Sequence, residues 1–209
     1  MLTMYAIPVS LYCAKLRILL RHKQIDFEEV PPPGGYGSDE YKALVPAGSL
    51  PAIVHDGLQI ADSEAIAEYL NETYPEPDML PEDAGQRAKI RELSRFHDTR
   101  LEPALRALFP HISDSKGDDG FVDRQWEVLC DRLDQLEVLI PTSERPLTLA
   151  DCGLPVTATW IFLLGNRFGK NDPISSKFAR YLANLEKHAA VANELASYRA
   201  KLNDWLATQ

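Results

Sequence analysis

The chain has 209 residues, 45% of them apolar, with 22 Lys and Arg against 31 Asp and Glu and a formal charge of −9. This length fits one large domain or two small ones, and the apolar content is ample for a core. The acidic balance argues against nucleic acid and anionic membranes as partners, since both select clustered Lys and Arg.

The three cysteines, Cys13, Cys130 and Cys152, are odd in number and far apart. A secreted disulfide framework is denser and even, so a reducing, cytoplasmic location is expected. No His/Cys cluster has metal-ligand spacing, so no metal cofactor is expected. The N-terminus lacks a basic segment followed by an apolar one, so no signal peptide is expected. No stretch approaches the roughly 18 uninterrupted apolar residues of a membrane span.

Residues 2–7 form a β-branched and aromatic run ended by Pro8, a pattern that predicts a short buried strand. Cys13, Leu16 and Leu20 then recur at helical spacing, with Ser10 placed as the cap and Lys15, Arg21 and His22 toward solvent. A second strand is expected around residues 26–30. The Pro/Gly cluster at 31–37 that follows can continue neither regular structure. Residues 51–60 read as a hairpin turning at Asp56-Gly57. Asp62 and Ser63 then offer caps for a helix with Ile66, Ala67 and Leu70 on one face. The order βαβ followed by ββα is that of a thioredoxin-like fold.

Three prolines within 74–81 mark a linker. Beyond it, Ile90, Leu93, His97, Leu101, Ala104 and Leu108 predict one long amphipathic helix, and Val122, Trp126, Leu129, Leu133 and Leu136 another. The expected plan is an α/β thioredoxin-like domain at 1–76, a linker at about 77–83, and an all-α helical domain at 84–209.

Four motifs stand in one order along this plan. They are Ser10-Leu11-Tyr12-Cys13 at the first helix, Gly48-Ser49-Leu50-Pro51 at the hairpin entrance, Asp62-Ser63, and Thr148-Leu149-Ala150-Asp151. Together they resemble the cytosolic glutathione transferase family over nearly the whole chain, in its theta- and zeta-like serine types. The resemblance implies a homodimer that binds glutathione as co-substrate and joins it to a small apolar electrophile, a detoxification chemistry. It places Ser10 at the catalytic serine, whose hydroxyl would donate to the glutathione sulfur. A free thiol has a pKa near 8.5 and only its thiolate attacks well, so a donor beside a helix N-terminus favours the reactive form. Taken alone, Ser10 would read simply as an N-cap; it is the company of the other motifs that points to the catalytic role.

The same resemblance makes Leu50-Pro51 a cis-proline corner whose backbone meets the cysteinyl part of glutathione. It makes Asp62 and Ser63 the receivers of the γ-glutamyl end, the acid for the ammonium and the hydroxyl with helix N–H groups for the carboxylate. Cys13 takes the second position of the first motif and reads as a buried structural thiol. Thr148 and Asp151 form a capping box, a folding element. A second-substrate pocket between the domains would draw on Tyr12, Tyr36, Phe96, His97 and Arg100, although His97 sits on an apolar stripe and suits a core position.

Where many relatives carry a lysine for the glycine carboxylate of glutathione, this chain has Ser49. Lys42, Arg17 and His55 are the candidate replacements. Two other functions suit the same motifs: glutathione-dependent cis–trans isomerisation of a maleylacetoacetate-like diacid, and a non-catalytic binding protein that kept the fold.

Overall fold

In the computed structural model of the protein, which describes residues 1–113 and 119–208, the chain begins β1 (Leu2–Tyr5), α1 (Leu11–His22), β2 (Phe27–Val30), α2 (Asp39–Leu44), β3 (Ala52–His55), β4 (Leu58–Ala61), α3 (Ser63–Thr73). The four strands form one sheet in the order β2-β1-β3-β4. β1 runs parallel to β2, with Leu2 opposite Phe27, and antiparallel to β3, with Tyr5 opposite Ala52. β3 and β4 close a hairpin over Asp56 and Gly57, whose φ values of 49° and 85° are those a tight turn of this hand requires. This is the thioredoxin-like arrangement.

Two features of this first part depart from the sequence expectation. The connector after β2 holds a helix, α2, capped by Ser38, whose side chain accepts from the Tyr41 amide. Lys15 does not face solvent: it is 3% exposed and donates to Glu64 of α3 at 2.7 Å. The physical reason is that α1 is covered almost all round, from Cys13 to Leu20 without an exposed position. A cation in such a helix needs a buried partner.

The later helices are α4 (Ala84–Phe96), α5 (Glu102–Arg106), α6 (Asp119–Leu139), α7 (Leu154–Phe168), α8 (Ser176–Leu185) and α9 (Ala189–Leu206). The long helix expected through Leu108 runs without a break from Ala84 to Arg106, interrupted in its hydrogen-bond pattern rather than its course. A π-helical turn at His97–Leu101 joins α4 to α5, and Pro103, which has no N–H to donate, sits in the first turn of α5. The apolar stripe survives the interruption, since Ile90, Leu93, His97, Leu101, Ala104 and Leu108 are all buried.

The chain divides into two units: Met1–Met79 with Ala189–Trp205, and Leu80–His188 with the chain end from Leu206. The last helix, which a division at residues 77–83 leaves with the helical domain, thus packs in the first unit. Among the described residues no helix is long and apolar enough to cross a membrane.

Glu102 is a poorly accommodated group of the second unit. It is wholly buried, its Oε1 lies 3.4 Å from the Thr157 hydroxyl, and its Oε2 has no partner among the described residues. Burial pushes its pKa up, against the smaller opposing pull of His97 and Arg106. Its contribution to stability is therefore complete below the ordinary carboxylate pKa and is lost as pH rises through the raised folded-state value. Glu102→Gln should leave Tm unchanged in acid and raise it increasingly toward neutral pH, each kcal/mol recovered being worth about 2–4 °C in a chain of this size. Thermal melts of both proteins across that pH range check it; a constant difference would refute the linkage.

Candidate functional site

The sheet register brings three of the four motifs to one end of the first unit. Tyr5, at the end of β1, stands opposite Ala52, at the start of β3, and Ala52 stands opposite Ala61, at the end of β4. The segment leading to Ser10, the Leu50-Pro51 corner and the Asp62-Ser63 helix start all leave the sheet from those three neighbouring positions.

Ser10 is the N-cap of α1, with extended φ and ψ of −69° and 124°, and its Oγ accepts from the Cys13 amide at 3.3 Å. The residue is half-buried. Cys13, one turn on, is fully buried, and burial pushes its thiol pKa up despite the lowering effect of the Ser10 hydroxyl. A thiol held protonated in this way suits packing rather than nucleophilic chemistry.

The Leu50–Pro51 peptide bond is cis. The corner is fixed from α2: the Tyr41 hydroxyl donates to the Ser49 carbonyl at 2.8 Å. Burial, aided by its neighbours, pushes the Tyr41 pKa up to about 12, so it remains a donor at neutral pH. A second cis bond, Glu76–Pro77, lies in the expected linker.

Asp62 caps α3 from an unusual backbone conformation, φ 99° and ψ 118°, which is costly for a residue with a Cβ. One carboxylate oxygen, Oδ1, accepts the amides of Glu64 at 2.9 Å and Ala65 at 3.0 Å. Its Oδ2 has no partner among the described residues, nor does the hydroxyl of the largely buried Ser63. The site therefore offers an anionic oxygen and a hydroxyl side by side in sequence at a positive helix end. That donor set fits an α-amino-acid zwitterion, one group for each charge. The buried Lys15–Glu64 pair joins α1 to α3, and so locks together the two helices that Ser10 and Asp62 cap.

Of the three cations considered as replacements for the missing lysine, two are committed elsewhere. Arg17 is 3% exposed and bonded to Glu194, Glu29 and the Pro8 carbonyl. His55 is buried, with Nδ1 and Nε2 paired to the hydroxyls of Tyr69 at 2.9 Å and Tyr74 at 3.0 Å. Lys42 is exposed and in no ion pair among the described residues. Its stem runs across Gly48, where an added Cβ would lie 3.2 Å from its Cγ. Gly48 has φ +61°, so both space and conformation favour glycine at this point of the corner.

The five residues named for the second-substrate pocket fall in different surroundings. Tyr12 is half-buried on α1 and Tyr36 is exposed in the connector, both in the first unit. In the second unit, Phe96 and Arg100 line a groove of about 510 Å³ with residues of α6, among them Leu139 and Val138. His97 does not join them. It is 1% exposed, with Nδ1 2.7 Å from Asp98 and Nε2 2.7 Å from Thr157. Its ring leaves no room for a side chain at Gly153, where a Cβ would come within 2.4 Å. It is a core residue of the second unit.

The fourth motif forms the expected capping box. The Thr148 amide and hydroxyl both donate to Asp151 Oδ2 at 2.7 Å, ahead of a short 3₁₀ turn at Leu149–Asp151 that leads into α7.

Residues 4–78 match the family described as glutathione S-transferase, N-terminal domain. A probable maleylacetoacetate isomerase 1 of Drosophila melanogaster is 36% identical over 47% of this chain and 43% of its own length. The maleylacetoacetate isomerase of Rattus norvegicus is 39% identical over 43% and 44%. The chain thus spans less than half the length of these two relatives. Among solved structures, a maleyl pyruvate isomerase, a bacterial glutathione S-transferase in the zeta class, superposes with a TM-score of 0.75 at 24% identity, covering 92% of this chain and 95% of that one.

Proposed function

We propose that this chain, whose residues 4–78 match the glutathione S-transferase N-terminal domain, is a glutathione-dependent enzyme of the cytosolic glutathione transferase family whose Ser10 hydroxyl holds the glutathione sulfur as a thiolate. The observation that carries this reading is the convergence of a half-buried capping serine, a cis-proline corner and the Asp62-Ser63 helix start on one sheet end. In the transferase form the thiolate attacks a small apolar electrophile, a carbon–sulfur bond forms, and a leaving group such as halide departs with the bonding pair. Glutathione would lie with its cysteinyl part along Leu50, its ammonium on Asp62 and its γ-glutamyl carboxylate on Ser63. Tyr12 and Tyr36 are the nearest candidates in sequence for contact with the electrophile, and Phe96 and Arg100 remain candidates from the second unit.

A second reading is supported by the names of the relatives, two of which are maleylacetoacetate isomerases. Here the thiolate adds to a conjugated double bond, the bond rotates, and the sulfur leaves again, so glutathione is regenerated. The two are separated by incubating the protein with glutathione and either a halonitrobenzene or a maleylacetoacetate-type substrate. Conjugation consumes glutathione; isomerisation does not. Absence of glutathione binding at millimolar concentration would overturn both readings in favour of a non-catalytic binding protein. A cytoplasmic homodimer belongs to the same proposal, and its assembly is checked by mass measurement in solution.

The cation for the glycine carboxylate is Lys42 in this reading, supported by its stem lying across Gly48 beside the Leu50 corner. Lys42→Ala should raise KM for glutathione by about fivefold, since an exposed charge pair contributes no more than about 1 kcal/mol. The turnover number should stay within twofold, because the carboxylate is remote from the reacting sulfur. An unchanged KM would remove Lys42 from the site.

A further inference from the structure

The last helix of the chain touches the segment that delivers Ser10. We propose that α9 is a working part of this site: through Tyr198 and the buried Glu194–Arg17 pair it braces residues Pro8 and Val9 and so positions the Ser10 hydroxyl. The inference rests on the thiolate role proposed for Ser10.

β1 stops at Tyr5, and the last sheet-like bond of the segment is from the Ala6 amide to the Val30 carbonyl at 3.0 Å. Residues 7–10 then cross to α1 without strand pairing. The bonds the turn makes with itself are at the long end of the usual range: the Ser10 amide to the Ile7 carbonyl at 3.3 Å, and the Cys13 amide to Ser10 Oγ at 3.3 Å. The shorter restraint comes from far along the chain, where the Tyr198 hydroxyl donates to the Val9 carbonyl at 2.8 Å. The Pro8 carbonyl accepts from Arg17 Nη2 at 3.3 Å.

Arg17 is itself held on every side. Its Nε donates to Glu194 of α9 at 2.7 Å, and its Nη1 to both oxygens of Glu29 on β2 at 3.2 Å. Arg21 adds a second contact to Glu194. One guanidinium, 3% exposed, therefore ties α1, β2, α9 and the Ser10 approach into a single network, and Tyr198, on the same helix as Glu194, is fully buried. A planar fork of donors that satisfies two carboxylates and a carbonyl fixes directions as well as distances. The position of a reacting group matters at this scale, since a displacement of about 1 Å can cost on the order of a hundredfold in rate. A positioning role for Tyr198 and Glu194 follows; neither touches the glutathione sulfur.

The test uses the full-length variants Tyr198→Phe and Glu194→Gln, with Leu202→Ala as the comparison. Leu202 is fully buried further along α9 and makes neither contact. Three quantities are read: amide hydrogen exchange at residues 10–14 in the ligand-free protein, ultraviolet titration of the bound glutathione thiol, and Tm. Tyr198→Phe should speed exchange at these amides and return the thiol titration toward that of free glutathione. It should lower kcat by about tenfold while KM for glutathione stays within twofold. Glu194→Gln should act in the same direction. Leu202→Ala should lower Tm at least as far and move neither exchange nor titration. Unchanged exchange and titration in both variants, or equal effects from Leu202→Ala, would overturn the brace. Wild-type protein that fails to bind glutathione overturns the enzymatic reading instead, and the brace is then judged by the exchange alone.

Discussion

Ser10→Ala is expected to lower kcat/KM for glutathione conjugation by about 10- to 100-fold at neutral pH. A thiol with a pKa near 8.5 is only about 3% ionised at pH 7, and a decrease of two units would make it about three-quarters ionised. Removing the donor forfeits that gain, roughly 25-fold, and with it the orientation of the sulfur. The same change removes an N-cap, worth about 1 kcal/mol of stability, so lost activity could have either origin. Ser10→Gly separates them. Glycine loses the hydroxyl but tolerates the cap position at a cost of only a few tenths of a kcal/mol. Both variants should therefore lose the same activity while only alanine lowers Tm appreciably. The direct readout is the titration of the bound thiol, which should return to the value of free glutathione in both. Full conjugation rate in Ser10→Ala would refute the assigned role while leaving glutathione binding intact.

The second large effect is on stability. Asp151 is wholly buried in the second unit and receives five donors: the Thr148 amide and hydroxyl, two nitrogens of Arg145 at 2.7 and 2.9 Å, and the Tyr181 hydroxyl. Burial, with Asp151 adding to it, pushes the Tyr181 pKa well above the ordinary tyrosine value, so Tyr181 donates throughout the neutral range. Asp151→Ala strands all of these donors at once. Breaking a buried pair by removing one partner costs about 3–5 kcal/mol. In a chain of this size that is a fall in Tm of roughly 6–20 °C. Asp151→Asn keeps one acceptor oxygen and should fall between alanine and wild type. Because Asp151 lies outside the first unit, glutathione affinity of the folded fraction should not change. A Tm within about 2 °C of wild type would mean that Arg145 and Tyr181 find other partners, and would reduce the box to a local cap.

Much of the first unit was legible because its signals are local. The Asp56-Gly57 turn, the serine and aspartate caps and the alternation of short apolar runs with a helical stripe each depend on neighbours within a few residues. The cis corner at Leu50-Pro51 was reached by resemblance. The helix α2 escaped notice because its six residues carry too little periodicity to register beside a Pro/Gly cluster. The burial of Lys15 is invisible in the sequence for a different reason. Helical spacing identifies one buried face, whereas α1 is buried on nearly all sides, and nothing local announces that its cation meets Glu64, 49 residues away.

The candidate site divides in the same way. Ser10, Leu50, Pro51, Asp62 and Ser63 could each be named from a short motif, because each is defined by its place at the end of an element. Which cation was free to serve the glycine carboxylate could not be read, since Lys42, Arg17 and His55 look equally available in a linear chain. Only folding commits Arg17 to Glu194 and Glu29, and His55 to Tyr69 and Tyr74, leaving Lys42. His97 shows the converse: its stripe position was plain, but its burial against Gly153 depends on a contact 56 positions along the chain.

Length, composition and charge fit one domain or two and argue against nucleic acid as a partner. The sequence by itself determined the strands, the helices that Ser10 and Asp62 cap and the family resemblance, because hydrogen-bonding propensity and apolar period act over a few residues. Tertiary structure decided which charges are spent on holding the fold and which remain for a ligand. It also decided that α9, from far along the chain, belongs to the first unit and reaches α1 and the approach to Ser10. Both outcomes depend on burial, which makes an unpaired charge or carbonyl costly and so selects partners that sequence distance does not reveal.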